Sequence, residues 1–279
     1  MGKSTLLNQI IGQKIAIVSD KPQTTRNRIV GVCTNEEGQA VFLDTPGIHR
    51  PRNRLGENML KTVRQAMNGV DLLLYVVDAA VPAGPGEEFV LRQIGEARTP
   101  AFLMLNKIDL IKKEDLLPVM EWFSKRCSFL EIVPASALTG ENVEQVKRLI
   151  FANLPEGPCY YPQDMVTDQP ERFVAAEIVR EKVLMLTREE IPHSIAVIIE
   201  EMKTRTNQTL YLPTTIYVER ESQKGILIGK NGSMLKEVGR LARLELEALF
   251  GNRIFLELWV KVKKDWRDSE GALRSFGYE

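Results

Sequence analysis

Residues 1–10 read MGKSTLLNQI, and Gly2, Lys3 and Ser4 match the last three positions of the phosphate-binding pattern G-x-x-x-x-G-K-[ST]. That pattern aims backbone N–H groups at nucleotide phosphates, sets its Lys on the β- and γ-phosphates, and sets its hydroxyl on Mg²⁺. Thr5 follows on the same stretch and joins Gly2, Lys3 and Ser4 as a candidate nucleotide contact. The first glycine of the pattern falls five positions before Gly2, outside the sequence. A lone GKS tripeptide is common, so the residues that follow it must decide the fold.

They decide it by alternation. QAVFLDTPG, VDLLLYVVDA, TPAFLMLNKID and LEIVPASA are short apolar runs that stop at polar or turn-forming residues. Such runs suit parallel strands covered on both faces. Between them lie the helical patterns RLGENMLKTVRQAMNG, GEEFVLRQIGEA, KEDLLPVMEWFSKR and NVEQVKRLIFANL. The alternation predicts an α/β doubly wound sheet, with ligands beyond the carboxyl ends of the strands.

The polar clusters fall at those ends. Asp44, in LDTPG, can hold Mg²⁺ through water, and Gly47 can bring its N–H to a γ-phosphate. In LNKID, Asn106 to Asp109, a carboxylate can accept two hydrogen bonds from guanine, a pairing adenine cannot offer. In ASALTGEN, whose second residue is Ser136, the N–H near Ala137 could reach the guanine O6. The loop SDKPQTTRNRIVG, residues 19–31, offers Thr25 as the hydroxyl for Mg²⁺ and phosphate, with Thr24 second. Position 48 is Ile, where Ras-like enzymes carry a water-orienting Gln, so either the attacking water is organised differently or hydrolysis is very slow. His49, beside it, reads as a solvated loop residue.

Composition narrows the class. The 279 residues carry 37 basic and 37 acidic side chains and 44% hydrophobic residues, which suits two globular domains and excludes a protein basic all over. Cys33, Cys127 and Cys159 are few and scattered, which favours a reducing cytosol over a disulfide framework. No apolar run approaches the roughly 20 residues that span a bilayer. The expected location is cytoplasmic.

At residues 154–170, LPEGPCYYPQDMVTDQP breaks the pattern as a linker would. The predicted domains are therefore 1–156, a linker at 157–170, and 171–279. The second domain reads as an amphipathic helix, two strands, two helices and a strand. Gly229 and Gly232 bracket Lys230 and Asn231 between its two helical segments, a GXXG turn able to clamp nucleic-acid backbone. From residue 171 onward the charge is nearly balanced, 18 basic against 17 acidic. Lys224, Lys230, Lys236, Arg240 and Arg243 nevertheless gather near the turn, against Glu237.

In this order GKS, the Thr-rich loop, DTPG, NKID and SAL resemble the translation-factor-like P-loop GTPases. The second half resembles a type II KH domain of α+β class. Together with KPQTTRNRIVG, DTPGIHRP, YYPQDMVTDQPERF and GKNGSMLK, the pairing resembles the bacterial Era family over essentially the whole chain.

The resemblance implies a GTPase, with GTP or GDP, Mg²⁺ and a monovalent cation as ligands. Gly2, Lys3, Ser4, Thr5, Asp44, Asn106, Lys107, Asp109, Ser136 and Ala137 would form the nucleotide site. Ser4, Thr25 and Asp44 would hold the metal, Asp44 through water, while Thr25 and Gly47 would act at the reacting phosphate. Gly229, Lys230, Asn231, Gly232 and Lys236 would hold the 3′ end of small-subunit ribosomal RNA during assembly of the small ribosomal subunit. Peripheral association with the inner face of the cell membrane is implied as well.

The family places a strand and G-x-x-N-x-G-K-S at the phosphate loop, of which the strand, first glycine and Asn lie outside this sequence. That strand is central, and a sheet without it exposes unpaired backbone on two apolar edges. The expectation is that Met1 is an internal residue of a longer ancestor, and that the chain as written is poorly soluble and binds GTP weakly. Two rivals remain: a nucleotide-dead module in which only the KH domain acts, and a P-loop kinase or ATPase.

Overall fold

The computed structural model describes residues 1–206 and 208–278, which cluster into two compact units. The first comprises 1–18, 25–50 and 59–168, and the second 19–24, 51–58 and 169–279.

The first unit begins with helix α1 (Lys3–Ile11), followed by a hairpin of β1 (Ile29–Asn35) and β2 (Gly38–Asp44). The turn closes because Asn35 Oδ1 accepts the N–H groups of Glu37 and Gly38, at 2.9 and 3.1 Å. Strand β1 was not expected, because residues 29–31 read as the end of the Thr-rich loop; its first five residues are buried. Helix α2 (Arg54–Met67) leads to β3 (Leu73–Asp78), α3 (Pro85–Ala97), β4 (Ala101–Asn106), α4 (Lys113–Ser124), β5 (Glu131–Pro134) and α5 (Val143–Asn153).

Strands β3, β4 and β5 form a parallel sheet in that order, in register from Leu73 opposite Ala101 and from Phe102 opposite Glu131. All six residues of β4 are buried, as a central strand covered on both faces requires. The α/β layering matches the sequence reading, but the expected single sheet is in two pieces. Among the described residues no ladder joins β2 to β3. A cavity of about 1160 Å³ lies there, lined by Val41, Leu43, Leu72, Leu74 and Val76 among others.

The stretch read as a linker continues the first unit to Asp168. Val32 N–H donates to Val166 O at 2.9 Å, the Thr167 hydroxyl to Val30 O at 2.7 Å, and Gln39 Oε1 accepts the N–H groups of Tyr160 and Tyr161.

In the second unit, α6 (Glu171–Leu186) and a short α7 (Ile191–Ser194) precede β6 (Ala196–Ile199), β7 (Lys203–Thr204) and β8 (Leu210–Val218). Helix α8 (Glu221–Ile228), α9 (Ser233–Phe250), β9 (Ile254–Val262) and α10 (Glu270–Ser275) complete it. Strand β8 is central: β9 runs parallel along it, while β6 and β7 pair antiparallel with its successive halves. The expected element order is present, with α7, β7 and α10 as additions. Helix α6 differs from its amphipathic reading. It is buried continuously from Ile178 to Leu184, including Arg180, Glu181 and Lys182, and Lys182 Nζ is paired with Glu181, at 2.6 Å, and with Glu245.

Candidate active site

Helix α1 starts where the phosphate pattern ends. Gly2 is its N-cap, with φ of 91°, and a Cβ there would collide with Asn106 Nδ2. The first-turn N–H groups of Lys3, Ser4 and Thr5 have no partner within a helix and suit an anion.

Three oxygens from separate segments converge beside that end. Ser4 Oγ donates to Asp44 Oδ2 at 2.7 Å and lies 2.9 Å from Thr25 Oγ1, which is 3.4 Å from the same carboxylate oxygen. Burial pushes the Asp44 carboxyl above its ordinary value, opposed by Lys3, the Ser4 and Thr25 hydroxyls and the Thr45 N–H. A buried carboxylate with two hydroxyls is a hard oxygen set that fits Mg²⁺, which prefers one or two carboxylates completed by phosphate and water. Among the described residues no three His, Cys, Asp or Glu gather as a metal cage, so oxygens from nucleotide and solvent would complete the shell. Thr25, not Thr24, is placed here; the Thr24 hydroxyl donates instead to Lys21 O at 2.7 Å.

Gly47 lies close to Lys3, whose amine would be 3.8 Å from a Cβ built there. His49 is not solvated as expected: it is half-buried, and its Nδ1 donates to Gly47 O at 2.8 Å. Ile48 packs on the core of Val63, Met67, Val90 and Ile94, and turns no polar group to the phosphates.

The base end is built by Asn106. Its Oδ1 accepts the Ala137 N–H at 2.8 Å and its Nδ2 donates to Met1 O at 2.6 Å, tying the phosphate end to the SAL loop. Asn106 therefore acts as a structural tie. The Ala137 N–H, expected at the guanine O6, here donates to Asn106 Oδ1. Ser136 is fully buried, and its Oγ accepts the Thr139 N–H at 3.2 Å. Lys107 has a left-handed backbone, with φ of 68°, and its amine pairs with Asp78 at 2.5 Å. Asp109 follows in a 3₁₀ turn, exposed and free to face a base. Asp78 was missed by sequence reasoning, although it ends an apolar strand just as Asp44 does.

In the second unit Gly229 ends α8 with φ of 73° and ψ of 174°, a conformation that only glycine adopts readily. Asn231 and Gly232 are left-handed, at φ of 53° and 77°, and Gly232 caps α9. Lys230, Asn231 and Lys236 are exposed around the turn. Arg240, counted in the basic cluster, is bound to Glu237 by two hydrogen bonds of 2.8 and 2.7 Å, which removes much of its charge from that surface.

Fold and site together define a P-loop GTPase unit joined to a KH-type nucleic-acid-binding unit. The comparisons agree on both halves. A family model described as a 50S ribosome-binding GTPase matches residues 1–107, and a KH domain model matches residues 190–267. GTPase Era of Heliobacterium modesticaldum is 56% identical over 279 residues, all of this chain and 93% of the relative, and GTPase Era of Carboxydothermus hydrogenoformans is 54% identical over all of this chain and 94% of the relative. The chain belongs to the Era family of GTPases. An Era variant of Aquifex aeolicus bound to GDP and AlF4⁻ superimposes with a TM-score of 0.95 at 44% identity, covering 99% of this chain and 95% of that one. Era in complex with MgGDPNP and nucleotides 1506–1542 of 16S ribosomal RNA gives 0.96 at 44% identity, covering 99% and 94%.

Proposed function

We propose that this chain binds and hydrolyses GTP in the cytoplasm and holds the single-stranded 3′ end of 16S ribosomal RNA on its GXXG turn, as an assembly factor of the small ribosomal subunit. The observation that carries the GTPase half is the convergence of Ser4, Thr25 and Asp44 beside the start of α1. Support for the RNA half comes from the exposed turn and from the solved relative that holds nucleotides 1506–1542 of 16S RNA.

The residue roles proposed are these. The α1 N–H groups and the Lys3 amine bind the β- and γ-phosphates, while the Thr25 and Gly47 N–H groups bind the γ-phosphate. Ser4, Thr25 and Asp44 hold Mg²⁺, which neutralises charge on the phosphate oxygens. Asp109 reads the guanine edge, and Asn106 and Ser136 shape the loop around it. Lys107 keeps that loop against β3 through Asp78. With Ile48 turned into the core, the attacking water is oriented by backbone groups of the two phosphate loops. The proposal includes peripheral association with the inner face of the cell membrane; no helix of the described residues is long and apolar enough to cross a bilayer.

The test is a titration of the full chain with fluorescent GTP and ATP analogues, with and without an RNA oligonucleotide matching the 16S 3′ end. Guanine preference, and RNA binding lost on Gly229→Asp, are the expected results. Equal affinity for the two nucleotides would favour the kinase or ATPase rival, and RNA binding with no nucleotide binding at all the nucleotide-dead one.

A further inference from the structure

We propose that the outer face of the second unit's sheet, turned away from the helices, is a second single-strand RNA site, on which unpaired bases stack at Trp259 and at the Arg205 guanidinium. The proposal rests on the RNA-binding reading of this unit and extends it beyond the GXXG turn.

The two faces of the sheet are set by the period of two along each strand. On β8, Leu212, Thr214, Ile216 and Val218 are fully buried, and on β9 Leu258 packs against Gly239 of α9. The alternate residues face away from that helical layer. On β9 they are Phe255, Glu257, Trp259 and Lys261, with Tyr211 of β8 opposite Phe255 and Thr215 opposite Trp259. Helix α10 covers one end of this face, where the Phe276 ring meets that of Tyr217 at 4.6 Å between centroids. The other end is open: Phe255 is 47% and Trp259 56% exposed. Four residues apart on one strand, the two rings are about 13 Å from each other.

The chemistry of the open end favours nucleic acid. The Tyr211 and Phe255 rings stack, with centroids 5.8 Å apart and planes at 27°. The Arg205 guanidinium lies over both, 4.2 Å and 4.7 Å from their centroids. A guanidinium packed on aromatic rings can stack a base and give its N–H groups to phosphate. Glu257 accepts the Tyr211 hydroxyl at 2.5 Å, and Glu200 accepts the Thr215 hydroxyl at 3.0 Å with Lys261 4.0 Å away. These carboxylates have partners within the face, whereas the Arg205 cation meets no carboxylate among the described residues. Exposed rings beside an uncompensated, ring-mounted cation are what a sheet needs to hold unpaired bases. Every base has a π-face, so such a site tolerates any sequence.

The experiment titrates the full chain with a fluorescein-labelled oligoadenylate dodecamer at low salt. The background is Lys230→Asp with Asn231→Asp, which puts two carboxylates on the turn without touching its glycines. Trp259→Ala, Trp259→Phe, Arg205→Ala and Arg205→Lys are compared in that background. The background protein is expected to retain a salt-dependent affinity for the probe. Trp259→Ala and Arg205→Ala should each weaken it about tenfold, the worth of one stacked base, while Trp259→Phe keeps most of it and Arg205→Lys recovers only part. Unlabelled oligoadenylate should quench tryptophan emission in the background protein and not in Trp259→Phe, a signature that a folding defect does not produce. If an alanine variant fails to fold, that quenching decides. No affinity in the background protein, or affinity indifferent to Trp259 and Arg205, overturns the proposal. A Trp259→Ala variant that changes oligomeric state in sedimentation but not RNA affinity overturns it too, and makes the face an interface between copies of this chain. If the unsubstituted chain binds neither oligoadenylate nor the oligonucleotide matching the 16S 3′ end, the RNA-binding reading itself fails. If it binds the latter through the turn and the sheet variants change nothing, only the second site fails.

Discussion

Asn106 and Asp109 belong to one short motif but do opposite work, and substitution should separate them. Asn106 is 2% exposed and makes two hydrogen bonds, to the Ala137 N–H and Met1 O. Asn106→Ala removes both and strands the Ala137 N–H in a setting that is 1% exposed. At about 1 kcal/mol for the bond to Met1 O, plus about 1–3 kcal/mol for the Ala137 N–H left stranded, the loss comes to about 2–4 kcal/mol. For a unit of this size that lowers the melting temperature by roughly 4–16 °C. Asp109 is exposed, so Asp109→Ala should change stability by no more than about 0.5 kcal/mol. The nucleotide readout is the reverse. Asn106→Ala loosens phosphate and base loops together and weakens GTP and ATP analogues in proportion. Asp109→Ala should cost the GTP analogue at least about tenfold and leave the ATP analogue unchanged. Calorimetric melting of the nucleotide-free protein and titration with the two fluorescent analogues measure both effects. Equal melting losses for the two variants, or guanine preference that survives Asp109→Ala, would refute this division of labour.

Other outcomes follow from single distances and charges. Gly229→Ala would put a Cβ 2.8 Å from Met234 Cβ and 2.9 Å from its backbone N, at φ of +73°, and should cost about 3 kcal/mol or more in urea unfolding. Gly232→Ala meets open space at φ of +77° and should cost only about 1 kcal/mol; similar losses would remove the case for a backbone-dictated turn. Lys230→Ala and Lys236→Ala should each flatten the dependence of log affinity on log salt by about 0.7 for single-stranded RNA, and an unchanged slope would take the lysine concerned out of the interface. Because burial raises the Asp44 carboxyl, its contribution to stability is intact below its unfolded value and lost as pH rises through the folded one. Asp44→Asn should therefore stabilise the metal-free protein at neutral pH, by on the order of 1 kcal/mol, with the gain vanishing toward pH about 4. The same variant should lose Mg²⁺-dependent GTP binding. Destabilisation at pH 7 would show that Asp44 is held by its own partners rather than waiting for a cation.

What could be seen in the sequence was what has a local cause. Asp44, Asn106 and Ser136 stand where apolar runs stop, and a parallel strand covered on both faces must put its first polar side chain at its carboxyl end. The GXXG turn was visible for a similar reason, since the two glycines carry backbone angles that other residues resist. Strand β1 escaped because its first residues, 29–31, read as the end of the Thr-rich loop. The buried charges of α6 gave the periodicity of a helix with one wet face. Besides the neighbours Glu177 and Glu181, their further partners, Glu245 for Lys182 and Thr24 for Arg180, lie too far along the chain for any window to connect.

The deeper miss concerns how the units are made. A reading by composition divides a chain into consecutive blocks, and here it drew one boundary near the linker. The contacts instead assign 19–24 and 51–58 to the second unit, although each is flanked by residues of the nucleotide site. Thr24 and Thr25 are neighbours in sequence, yet one answers to Arg180 and the other to Ser4 and Asp44. Such a division cannot arise from local propensity, because the two residues are chemically identical and lie in one loop. It arises from what holds each one: a carbonyl bound from α6 on one side, a hydroxyl bound beside α1 on the other.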